Sequence, residues 1–138
     1  LPLQRIAYNA IPSVVYTNPE IACVGLTEKD LNEIKEGDFA PSMSTDEPFV
    51  PYEVHQLPMT YSGRFVAENE GETGLCKVIV DKRSKAILGV HMIGNPCSEF
   101  VAAASFAVRM GYTVGEFKQV VFPHPTVAEV MREVIMEA

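Results

Sequence analysis

The sequence predicts an α+β domain in which helices pack on one face of an antiparallel sheet of about four to five strands. Three observations carry that reading. The chain has 138 residues, 47% of them hydrophobic and 21% charged, enough apolar material for one core, so residues 1–138 are read as a single domain. Two runs rich in β-branched and apolar residues, Leu75 to Val80 and Ile87 to Ile93, flank the polar stretch Asp81 to Lys85, which is the pattern of a hairpin. The final third repeats helix-start signals followed by apolar stripes of helical period, so a group of helices follows the strands.

Taken in order, Ser13 to Thr17 and Ile21 to Gly25 read as short extended segments separated by Asn18-Pro19, because proline cannot donate to a strand ladder. Thr27-Glu28-Lys29-Asp30 has the spacing of a capping box, and Leu26, Leu31 and Ile34 form a stripe that stops at Gly37, predicting a short helix. Prolines 41, 48, 51 and 58 punctuate the stretch from Phe39 to Pro58, where Tyr52, Val54 and Leu57 hint at a strand. Arg64 to Glu68, before the GETG turn at 71–74, reads as a third strand beside the hairpin. Asn95-Pro96 offers an N-cap with proline at the first helical position, and Phe100, Val101, Ala104, Ala107 and Val108 hold one apolar face up to Gly111. Thr113 to Glu116 is a second capping box, opening a helix through Phe117, Val120 and Val121. Thr126 to Glu129 is a third, followed by Val127, Val130, Met131, Val134 and Ile135 at helical spacing.

Eleven Lys plus Arg against 18 Asp plus Glu give a formal charge of −7, the wrong sign for a nucleic-acid or anionic-membrane surface. The longest nearly apolar run, Phe100 to Val108, is far short of the roughly 20 residues a membrane span requires. The opening LPLQRIAYNAIP has neither the pattern of a signal peptide nor an initiator Met, so the chain is expected to be part of something longer. Cys23, Cys76 and Cys97 contain no C-x-x-C spacing and read as reduced, buried thiols of a cytoplasmic protein. No metal-ligand cluster is suggested by the spacing of cysteines or histidines.

No G-x-G, H-E-x-x-H or G-x-S-x-G occurs, so the chain is not by itself a complete nucleotide-dependent enzyme. Of the three histidines, His91 alternates with apolar neighbours inside a predicted strand and reads as structural, while His55 lies in the proline-rich stretch and reads as a surface residue. His124 stands between Pro123 and Pro125 just before the last helix, held away from helical backbone by the proline that follows. Glu129 falls in the first turn of that helix, where a side chain leaning toward the N-terminus can reach the ring. Such a pair fixes the imidazole tautomer and makes a general base near neutral pH. Spacing equally allows Glu129 to be only the glutamate of a capping box, and His124 only a turn residue.

At these residues the sequence resembles the flavin-dependent pyridine nucleotide-disulfide oxidoreductases, specifically their C-terminal interface (dimerisation) domain. Their motif H-P-T-x-x-E is matched by His124-Pro125-Thr126-Val127-Ala128-Glu129, and the opening IPSVVYTNPEIACVGLTE, Ile11 to Glu28, is similar to another of their segments. GRFVAENEGETGLCKVIVD with ILGVHMIG, between Gly63 and Gly94, is similar to the sheet of that domain. Within the family the lipoamide dehydrogenases are nearest in pattern: Pro19-Glu20 matches their T-x-P-E, whereas glutathione reductases tend to have a second proline at Glu20. Many lipoamide dehydrogenases read H-x-H-P-T, and Phe122 replaces the first histidine here.

The resemblance implies a homodimer whose other domains bind FAD and NAD(P) and supply the redox-active cysteines, with neither cofactor bound to this chain alone. His124 and Pro125, joined by a cis bond, would lie near the partner subunit's flavin, and His124 with Glu129 would act as acid-base pair in the partner's dithiol/disulfide site. The isolated chain is expected to be inactive. A 2-oxo-acid dehydrogenase or glycine-cleavage system is the larger assembly such an enzyme would serve. The alternatives are a non-catalytic dimerisation or docking module, or the same domain of another disulfide reductase such as a glutathione reductase. The apolar faces of the helix from Phe100 and of the last helix are expected to leave a large exposed patch for dimerisation.

Overall fold

A computed structural model describes residues 6–33 and 50–138. Its elements are β1 (Ser13–Val15), β2 (Ile21–Gly25), α1 (Glu28–Glu33), β3 (Tyr52–Leu57), α2 (Gly63–Glu68), β4 (Leu75–Asp81), β5 (Ile87–Ile93), α3 (Cys97–Met110), α4 (Val114–Phe117) and α5 (Glu129–Met136). The sheet has five strands in the order β1-β2-β5-β4-β3, each antiparallel to its neighbours. The predicted hairpin forms its centre, with Val78 opposite Val90. The α+β class, the strand number and the antiparallel pairing all follow the expectation.

Side chains alternate across the sheet because the strand period is two. Cys76, Val78, Val80, Val90 and Met92 point to the main core, where they meet Val101, Ala104 and Ala107 of α3 and Val130, Met131, Val134 and Ile135 of α5. The opposite face carries a smaller cluster of Leu31, Val50, Ile79 and Leu88, so α1 covers part of the side that the later helices leave open. Gly25 and Gly89 face each other where the chain leaves β2, and a Cβ on Gly89 would lie 2.1 Å from the Leu26 carbonyl oxygen. Only a bare backbone permits that approach.

Several elements differ from the sequence reading. Arg64 to Glu68 is not a strand but most of α2, because the Ser62 hydroxyl accepts the Phe65 N–H as an N-cap and only Phe65 needs burial. The outer strand beside β4 is instead β3, from the stretch where Tyr52, Val54 and Leu57 gave a weak hint. His55, read as a surface residue, is half-buried in β3 with Nε2 3.5 Å from Glu53. The α1 capping box forms, with Asp30 accepting the Thr27 N–H at 2.8 Å and Thr27 Oγ1 accepting the Asp30 N–H at 3.1 Å. Ile34, Gly37 and most of the proline-rich stretch lie outside the described residues.

The predicted proline at the first turn of α3 is the cap residue instead, and Asn95 does not cap the helix. Glu20, arriving from the turn before β2, does so by accepting the Ser98 N–H at 2.9 Å. Helix α4 forms with its full capping box but stops at Phe117, leaving Val120 and Val121 exposed. The apolar face of α5 is covered by the sheet, so the expected patch is carried by α3 and the N-terminal turn instead. Phe106 of α3 is 69% exposed in a cleft it lines with Ile6 and Ile11, and Met110 is 61% exposed. Among the described residues no helix is long and apolar enough to cross a membrane.

Candidate functional site

The turn from Pro123 to Thr126 is clamped on both sides by the core. Before it, the Phe122 ring packs on Phe117 with centroids 5.8 Å apart, and after it Val127 is buried. Between these anchors the His124–Pro125 peptide bond is cis, as the resemblance implies, and the His124 side chain is 82% exposed. The same core contacts that bury α5 therefore carry a histidine at the surface.

Glu129 divides its two oxygens between two tasks. Oε2 accepts the Thr126 N–H at 2.7 Å, while Oε1 lies 2.8 Å from His124 Nδ1. Capping and pairing were open alternatives from spacing alone, and the geometry has both at once. The expected capping box is only half made, because Thr126 Oγ1 donates to the Pro123 carbonyl at 2.8 Å. A carboxylate can only accept, so Nδ1 carries the proton and the lone pair of a neutral ring is on Nε2. Among the described residues nothing hydrogen-bonds Nε2, so this nitrogen is available to a group from outside.

The electrostatics of Glu129 favour its charged form. Burial pushes its carboxyl up, but the Thr126 N–H, the His124 ring and the nearby Arg132 together outweigh that and hold it below the ordinary glutamate value. A permanent carboxylate beside Nδ1 stabilises the imidazolium that forms when Nε2 takes a proton. The arrangement thus equips His124 for proton transfer with a group arriving from solvent or from another chain.

His91 keeps its structural reading: its Nε2 donates to the Leu26 carbonyl at 2.9 Å. The cysteines are free thiols; Cys76 and Cys97 are fully buried, while Cys23 is only half-buried. Burial pushes the Cys76 thiol up to about 12, and burial together with Glu20 pushes Cys97 up to about 11. Neither is a nucleophile near neutral pH, since the thiolate is the reactive form. Among the described residues no group of three or more His, Cys, Asp or Glu could hold a metal ion.

One residue of the site escaped the sequence reading. Ser62 Oγ donates to the Thr126 carbonyl at 2.8 Å from across the fold. Its signal was the N-cap position before Phe65, hidden when that stretch was read as a strand.

The sequence profile described as "Pyridine nucleotide-disulphide oxidoreductase, dimerisation domain" matches residues 11–135. Mitochondrial dihydrolipoyl dehydrogenase of Caenorhabditis elegans is 37% identical over 97% of this chain and 24% of its own length. Dihydrolipoyl dehydrogenase of Haloferax volcanii is 35% identical over 90% of this chain and 23% of its own. The chain thus spans about a quarter of the length of these relatives. Among solved structures, LpdA from Mycobacterium tuberculosis superposes with a TM-score of 0.78 at 21% identity, covering 98% of this chain and 26% of that one. The HOCl-induced flavoprotein disulfide reductase RclA from Escherichia coli, as its Cu(II) complex, gives 0.75 at 20% identity, covering 94% and 26%. These two likenesses support the fold.

Proposed function

The chain belongs to the dimerisation-domain family of the pyridine nucleotide-disulphide oxidoreductases, and from that premise we propose that it serves a dihydrolipoamide dehydrogenase-like homodimer by lending His124 to the partner subunit's dithiol/disulfide site. The observation that carries this reading is the His124–Glu129 contact of 2.8 Å on a ring that is 82% exposed. A histidine oriented by a carboxylate, with Nε2 presented outward, suits a substrate bound on another chain.

In the proposed step Nε2 takes the proton of a dihydrolipoyl thiol as its sulfur attacks one sulfur of the partner's cystine. A mixed disulfide forms, the old S–S bond breaks, and its electron pair leaves with the second cysteine sulfur as thiolate. Glu129 holds Nδ1–H throughout and balances the new imidazolium. FAD and NAD(P), held by the other domains of the full enzyme, would carry the electron pair onward. On this chain His124 and Pro125 fit a place beside that flavin, because both are exposed and fixed by the turn. The isolated chain, without a redox centre of its own, is expected to be inactive.

The exposed apolar surface of α3 supports the homodimer. Ala102, Ser105, Phe106 and Arg109 line a cleft of about 460 Å³ with Ile6 and Ile11, an apolar face of the kind permanent two-fold interfaces bury. The reduced thiols support the cytoplasmic placement, although relatives include mitochondrial enzymes. A 2-oxo-acid dehydrogenase or glycine-cleavage assembly follows from the same reading. The reading is tested by His124→Gln in the full-length dimer: thiol-dependent turnover should fall roughly 10²-fold or more. Unchanged turnover per folded dimer would leave the pair a capped helix start in a dimerisation module.

A further inference from the structure

Thr126 is the residue through which the His124 turn is held together. Its hydroxyl donates to the Pro123 carbonyl and its N–H to Glu129 Oε2, at 2.8 and 2.7 Å. Both bonds are internal to the turn. Its carbonyl accepts from Ser62 Oγ at 2.8 Å, and among the described residues this hydrogen bond ties residues 123–129 to an element other than α5. Ser62 is 3% exposed and is itself immobilised, because its oxygen accepts the Phe65 N–H at 3.2 Å and Phe65 is fully buried.

We propose that Ser62 is a positioning residue for the His124–Glu129 pair, its single hydroxyl proton fixing the Thr126–Val127 peptide and, through the shared Thr126 Cα, the Thr126 N–H that holds Glu129 against Nδ1. A hydroxyl has one donor and two acceptor sites, so Ser62 can hold Thr126 and cap α2 together. Without it the half-buried Thr126 carbonyl loses its partner and the peptide is free to shift. The Thr126 N–H lies in the preceding peptide but on the same Cα, so a shift of Thr126 displaces it, and Oε1 leaves its place beside the ring. Displacements of about 1 Å are costly in catalysis even when they arise away from the reacting atoms.

The inference rests on the reading of His124 as the base, and the test separates the two. In the full-length flavoenzyme, Ser62→Ala and Ser62→Gly should each lower kcat for dithiol oxidation about 10-fold while leaving KM for the dithiol unchanged. Reduction of an artificial electron acceptor by the reduced nicotinamide, which needs no thiol base, should be unchanged per bound flavin. Ser62→Thr, which keeps the hydroxyl, should restore the rate. Glycine is well tolerated at an N-cap, so that variant removes the tether at little cost to α2. Ser62→Ala should add little to the loss already caused by Glu129→Gln if Ser62 acts through Glu129.

If both reactions fall together, or Ser62→Thr fails to recover what Ser62→Ala loses, Ser62 is structural only and the proposal is wrong. If His124→Gln is strongly impaired while Ser62→Gly is not, the base reading stands and the positioning role is overturned. If His124→Gln is itself fully active, both fall.

Discussion

Two helices of this domain follow a cis X-Pro bond, α3 directly and α5 after a further turn. In α3 a glutamate accepts an N–H of the first turn, and ahead of α5 one accepts the Thr126 N–H. At α3 the residue before proline is Asn95, whose side chain is spent inside the fold: it accepts the Glu20 N–H at 2.9 Å and donates to Asn18 at 2.7 Å. Glu20 comes from 78 residues away to cap Ser98, so this junction fastens β2 to α3. At α5 the residue before proline is His124, which points outward, and the glutamate comes from the helix itself. Glu129 needs one oxygen for the backbone and has a second for the ring. The junctions share local chemistry, but one spends the side chain before proline internally and the other leaves an oriented nitrogen free. That free nitrogen is where the proposed function enters.

Substituting the two glutamates in the full-length enzyme sharpens the contrast. Glu129→Gln keeps an acceptor for Thr126 but removes the charge beside Nδ1, so thiol-dependent turnover should fall about 10-fold or more with a small loss of stability. Glu20→Ala should do the reverse, costing about 1–2 kcal/mol by chemical denaturation with turnover per folded dimer unchanged. Equal effects of the two on rate would erase the distinction between the junctions.

Thiol labelling probes the α3 junction directly. Burial first, and then Glu20, hold Cys97 in its thiol form, and burial does the same for Cys76. At pH 8 both should react with iodoacetamide far more slowly in the native protein than in denaturant. Rapid native labelling of Cys97 would show the α3 start to be open.

The smallest difference is expected in acid. Glu129 is held below its ordinary value when folded, so its contribution is fully present above the unfolded carboxyl pKa of about 4.3 and is lost as pH falls through the folded one. The melting temperature of Glu129→Gln should therefore fall less than that of the parent between pH 6 and pH 3. An identical fall in both would mean that Glu129 gains nothing from its partners.

The central hairpin was legible because Leu75 to Val80 and Ile87 to Ile93 are long runs of strand formers around a polar turn. The box at Thr113 was legible because both of its bonds are local. Arg64 to Glu68 was misread because five residues with one buried side chain show neither period clearly, and the N-cap Ser62 lies outside them. The capping of α3 by Glu20 could not be seen in local spacing, since its partner is distant in sequence. At α5 spacing brought His124 and Glu129 within reach of each other, but only the three-dimensional placement gives each glutamate oxygen its own partner and brings in Ser62.

The central claim is that His124 acts across the dimer, and mixed dimers test it most directly. One subunit would carry His124→Gln and the other would lack the redox-active cysteines, so that each homodimer is impaired in dithiol oxidation. If the histidine serves its partner, each mixed dimer contains one complete site, formed by the cysteines of one subunit and His124 of the other, and thiol-dependent turnover returns. If His124 serves its own subunit or none, the mixed dimers gain nothing over the two homodimers, and the account is contradicted.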